Sequence, residues 1–143
     1  MNGVRTERLG WRDEKISRRH REWGVQCPCV DIDFLLVEHS FGKPAALIEY
    51  KFHLATLNFS HANYMALGAL ADSAGIPFII ALYWPDSWSF KIHPMNDLAK
   101  LYFEDGQILC EEEYVKKLHH LRRVSMNQEL IGKLNTFVPY MVK

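Results

Sequence analysis

Two apolar runs, VDIDFLLVE and AALIEYKF, lie between Val30 and Phe52, separated by HSFGKP. Residues 31–38 and 46–52 are rich in strand-forming side chains, and residues 40–44 are turn formers, so the pattern predicts an antiparallel hairpin. Side chains on a strand alternate between faces, which puts Glu49 and Lys51 on one face and Asp31 and Asp33 on one face of their own strand. Pairing the strands brings Asp33 toward Glu49 and Lys51. Residues 12–23 predict a helix with Ile16, His20 and Trp23 as its inner stripe, stopped by Gly24.

Beyond the hairpin, Ser60 is the expected N-cap of a helix that Gly75 and Pro77 terminate. That helix is full of small residues (Ala62, Ala66, Gly68, Ala69, Ala71, Ala74), which would let it lie close against a sheet. Residues 77–84, PFIIALYW, are apolar without alternation, the pattern of a central strand covered on both faces, such as a parallel one. Residues 89–93 alternate like an edge strand. Asn96 or Asp97 is positioned to cap a short helix ending near Leu101, and Glu104, Asp105 and Gly106 form a turn. Two further helices are expected, over residues 110–123 with Tyr114, Leu118 and Leu121 inward, and over residues 127–138. The order predicts an α/β fold with a mixed central sheet flanked by helices.

At 143 residues and 48% hydrophobic, the chain fits one domain with a real core, spanning residues 1–143. Seventeen basic residues balance seventeen acidic ones, so no global charge announces nucleic acid. The first 23 residues are locally basic, with Arg5, Arg8, Arg12, Lys15, Arg18, Arg19 and Arg21 against Glu7, Asp13, Glu14 and Glu22. No apolar run is long enough to span a membrane, and no leader-like apolar segment opens the chain; a cytoplasmic protein is expected. Cys27, Cys29 and Cys110 form no disulfide framework and no zinc spacing, and buried or half-buried free thiols are expected.

The candidate chemistry lies in the hairpin. Two carboxylates and an ammonium in an otherwise apolar sheet are costly unless paired or bound to a metal. Asp33 followed by Glu49-Tyr50-Lys51, set on strand, turn, strand and small-residue helix, resembles the PD-(D/E)xK nuclease superfamily over about residues 12–93. Ile32 stands where that motif has proline, and Asp31 is a second candidate for its aspartate. The resemblance implies a restriction-endonuclease-like αβββαβ core, with a helical extension over about residues 96–143. It implies a Mg²⁺- or Mn²⁺-dependent nuclease acting on DNA. Asp33, Glu49 and Lys51 would be catalytic, with Asp33, Glu49 and the Tyr50 carbonyl as metal ligands. Arg18, His20 and Arg21 would hold flanking phosphates, and Glu14 or Glu22 could join the site. A homodimer would be the simplest way to cut both strands. The other classes kept open are a catalytically inactive nucleic-acid-binding protein and a regulatory protein with the same fold. Asn63 and Tyr64 are candidates to face the site, and Trp84 and Trp88 to stack on bases.

Overall fold

A computed structural model describes residues 14–141, with the backbone alone for Val25 and residues 131–141. The chain divides into two compact units, the first ending at Asp31 and the second beginning at Ile32. The described part of the first holds α1 (Glu14–Glu22) and a single 3₁₀ turn (Gly24–Gln26). Gly24 takes the left-handed conformation that stops the helix, with φ +74°. The expected start of this helix at Arg12 lies outside the described residues. Its expected inner stripe is not buried. Ile16 and Trp23 are each about half exposed, and no residue of α1 is buried, because the described part of its own unit offers little apolar surface to pack on. Cys27 and Cys29 are likewise exposed free thiols, as is Cys110, rather than buried ones.

The second unit is α/β. Its elements are β1 (Phe34–Glu38), β2 (Lys43–Phe52), α2 (Ala62–Ala74), β3 (Phe78–Trp84), β4 (Ser89–Pro94), α3 (Asp97–Lys100), β5 (Gln107–Leu109) and α4 (Glu111–Met141). The strands form one mixed sheet in the order β1-β2-β3-β4-β5. β2 and β3 are parallel, joined through α2, and the other neighbours are antiparallel. Two strands, rather than the three of an αβββαβ core, precede α2 among the described residues.

β3 explains its own composition. Ile79 and Ala81 point into a core with Ile48, Ile92, Tyr114 and Leu121 on the α4 side, while Phe78 and Ile80 join Leu47, Leu67 and Ala71 on the α2 side. Both faces are covered, so alternation disappears. α2 meets the sheet through Leu67, Ala71 and Gly68, where a Cβ would stand 3.9 Å from Phe78. Ala62, Ala66, Ala69 and Ala74 face outward, so most of the small residues do not serve the close approach expected of them. His61, not Ser60, is its N-cap; its ring accepts from the Asn63 N–H, while Ser60 turns to Asn58.

The hairpin turn is tighter and the second strand longer than expected. Glu38 is buried, yet its two oxygens accept the Ser40 and Phe41 N–H groups at 3.0 Å each. Burial opposes its charge, but these bonds and the nearby Arg122 outweigh it and hold the carboxyl below its ordinary value. β2 then starts at Lys43. The ladder slips between Leu36 and Val37, where Ala45 is the extra residue and Pro44, with no N–H to give, faces Val37.

Two further differences concern the C-terminal part. β4 is not an edge, because β5, a strand of three residues, pairs outside it. Asn96 caps α3, as its position suggested. One continuous helix of 31 residues, α4, replaces the two expected after residue 110. Nothing between Arg123 and Asn127 breaks a helix, and Tyr114, Leu121 and Ser125 keep one buried stripe along it. Ser125 Oγ donates to the Pro44 carbonyl at 3.2 Å, tying α4 to the start of β2.

Candidate active site

Glu49 lies in the middle of β2, with Ile48 opposite Phe34 on one side and Ile80 opposite Glu49 on the other. The β1 ladder ends at Phe34, so Asp31 and Asp33 precede the strand instead of lying on it. Aspartate is a poor strand residue, and an edge strand gains little by extending through two of them. The antiparallel register still matters. Phe34 opposes Ile48, and one more step along the same register sets Asp33 opposite Glu49. Asp33 is exposed, Glu49 is 8% exposed, and the two share a recess with Leu47, Leu67 and Phe78 beside α2.

Lys51 comes two residues later on the same face, and its Nζ stands 3.3 Å from Glu49 Oε1. Burial raises the Glu49 pKa above the ordinary 4.5, the Asp33 charge beside it adds to the rise, and Lys51 only partly offsets both. For Lys51 burial opposes the charge, but the hydrogen bond with Glu49 and the nearby Tyr64, Glu49 and Asp33 outweigh it, leaving its pKa raised. Tyr64, in the first turn of α2, is near enough to act on the lysine electrostatically. The Tyr50 side chain goes to the other face. Its hydroxyl lies 2.6 Å from that of Tyr114, and its ring meets Phe34 edge-on, so only its main-chain carbonyl remains for the site.

No family model, curated protein or solved structure matches the chain.

Arg18, His20 and Arg21 all belong to α1 in the first unit, where both arginines are exposed and His20 is half-buried. His20 Nε2 lies 2.8 Å from both the Cys27 carbonyl and Cys29 Sγ. Glu22, one of the two helix acids considered for the site, is ion-paired with Arg19 at 3.0 Å. No group of three or more His, Cys, Asp or Glu side chains is arranged to hold a metal ion among the described residues. The Asp33–Glu49 pair nevertheless suits a hard divalent cation. It offers oxygen donors only, its mutual repulsion is what a cation would relieve, and Mg²⁺ keeps several waters, so it needs few protein ligands.

Two nearby side chains carried a signal in strand parity alone. His53, just past the end of β2, comes two residues after Lys51 and bonds through its N–H to the Tyr83 carbonyl, and Lys91 on β4 pairs with the same Leu82 that Lys51 pairs with. Neither stands out until the order of strands in the sheet is known.

Proposed function

We propose that this protein is a metal-dependent nuclease of PD-(D/E)xK type that hydrolyses phosphodiester bonds in DNA, as a cytoplasmic enzyme acting as a homodimer. One observation carries the reading: Glu49 is buried beside Asp33 and Lys51 on one face of an apolar sheet, at a cost that raises its pKa. A structural role would be served better by apolar side chains. Asp33, Glu49 and the Tyr50 carbonyl would hold Mg²⁺ or Mn²⁺. When bound, that ion polarises a phosphoryl oxygen and lowers the pKa of a coordinated water. Lys51, held by Glu49 on the open side of the strand, orients the attacking water and neutralises charge building on the phosphate. Arg18, His20 and Arg21 carry the side chains suited to flanking phosphates. Incubation of supercoiled plasmid with Mg²⁺, Mn²⁺ or EDTA tests this. Nicking with either metal, abolished by EDTA and by Asp33→Asn, is expected; intact plasmid in both metals refutes it.

The closed Glu49–Lys51 ion pair favours a second reading, a nucleic-acid-binding or regulatory protein that keeps the site as structure. Salt-dependent DNA binding without nicking in any metal would select it.

A further inference from the structure

The far ends of β2 and β3 and the turn after them bring together five rings: Phe52, His53, Tyr83, Trp84 and Trp88. His53 and Trp84 stack with centroids 5.2 Å apart and planes 18° apart. Tyr83 and Trp88 lie near-parallel at 6.4 Å and 22°, and Phe52 meets Tyr83 edge-on at 5.9 Å. Yet the cluster is not sealed into the core. Phe52 is 44% and Trp88 49% exposed.

The backbone adds an independent observation. Trp88 has φ +49°, and among the described residues no other non-glycine residue takes a positive φ. A bulky side chain in the left-handed region is strained; Gly or Asn would fill this turn position more comfortably. The strain is not repaid by burial, since Trp88 is 49% exposed. What the turn obtains is an aromatic plane laid parallel to Tyr83.

The rings wrap around the end of the sheet: Tyr83 packs on the α4 side with its β2 partner Phe52 and the stacked Trp88, whereas His53 and Trp84 lie toward the side of Lys51. His53, the first residue after β2, follows Lys51 by two residues, and its N–H still bonds to the Tyr83 carbonyl at 3.0 Å, carrying the ladder one step on. Trp84 shares the face of Lys51 by alternation from Leu82, the β3 partner of Lys51. Lys91, the β4 partner of Leu82, adds a second ammonium to the face. Ring planes next to cations suit a chain of alternating bases and phosphates, and a base offers its flat face only when it is unpaired.

We propose that this end of the sheet is a stacking platform for unpaired nucleobases, and that the substrate is single-stranded for a few nucleotides beside the bond that is cut. The proposal rests on the nuclease reading for the last clause only; the stacking itself needs no catalysis.

Anisotropy of a fluorescein-labelled single-stranded oligonucleotide, and of a blunt duplex of the same length, is measured in EDTA for the parent, Trp88→Gly and Phe52→Leu. The parent is expected to bind the single strand about tenfold tighter than the duplex. Trp88→Gly should weaken single-strand binding about tenfold, the scale of one lost stacking contact, and leave duplex binding unchanged. Phe52→Leu, which keeps apolar bulk without the ring, should weaken it in the same sense. Because glycine removes the strain, Trp88→Gly should melt at or above the parental Tm. Equal affinity of the parent for the two forms overturns the platform, as does a Trp88→Gly variant that melts well below the parent but binds the single strand unchanged. Plasmid nicking by the same preparations separates the two readings. Metal-dependent nicking without single-strand preference removes the platform alone, whereas Trp88-dependent single-strand binding without nicking removes the nuclease alone.

Discussion

Lys51 is the residue on which the candidate site turns, and its neighbour Glu49 states what it costs. If Lys51 acts on the reacting phosphate, Lys51→Ala should cut about 10²-fold more slowly while DNA affinity and Tm stay close to the parent. If it serves only to neutralise Glu49, the melt should move instead, and activity per folded molecule should hold. Single-turnover cleavage run beside thermal melts distinguishes the two. Glu49 makes a separate prediction about pH. Its folded pKa is raised above the ordinary value, so folding favours the protonated carboxyl. That contribution is complete below the unfolded pKa and is lost as pH rises through the raised folded one. In EDTA, Glu49→Gln, which is neutral throughout, should therefore gain in Tm over the parent as pH rises from about 4 to about 8. A difference in Tm that does not change with pH would show that Glu49 stays charged without penalty.

Among the elements, the junction at Asn96 holds the most per residue. Its Oδ1 accepts the Ala99 N–H, capping α3, and the Phe78 N–H at the start of β3, each at 3.0 Å. Its Nδ2 donates to the Ile76 carbonyl and to Asp72 near the end of α2. One side chain thus joins α2, β3 and α3, and it is 7% exposed. Asn96→Ala strands buried main-chain groups and removes a cap, so it should cost about 3 kcal/mol in a urea melt. A loss below about 1 kcal/mol would mean that water replaces all four bonds. The helix end at Gly75 follows from sequence for the same local reason as the Asn96 cap. Its φ of +68° suits glycine, and its N–H closes onto Ala71 and Asp72 carbonyls. Elements lacking such local signals were harder to read. β5 has three residues and exists because β4 offers it an edge, and the continuity of α4 comes from its stripe against the sheet.

For the molecule as a whole, no helix among the described residues is long and apolar enough to cross a membrane. The mixed five-stranded sheet and its flanking helices agree with the α/β class that the order of apolar patterns implied. The parallel β2–β3 pair was legible because a strand buried on both faces cannot alternate, and PFIIALYW does not. The shared face of Glu49 and Lys51 was legible because strand parity is a property of the backbone alone.

What the sequence could not decide were matters of partnership. Asp31 and Asp33 read as strand residues, but a strand's end depends on what its neighbour offers, and β1 is an edge that stops at Phe34. Ile16, His20 and Trp23 form a helical stripe whose burial depends on what lies against it, and Ile16 and Trp23 remain half exposed. The cysteines look like core residues by type, yet all three are exposed. Periodicity and capping act within a few residues, and so they fix elements and faces. Register across β1 and β2, the pairing of Leu82 with both Lys51 and Lys91, and the raised pKa of Glu49 arise between segments far apart in the chain. Only the tertiary fold brings those segments together and sets the burial and charge that each side chain meets.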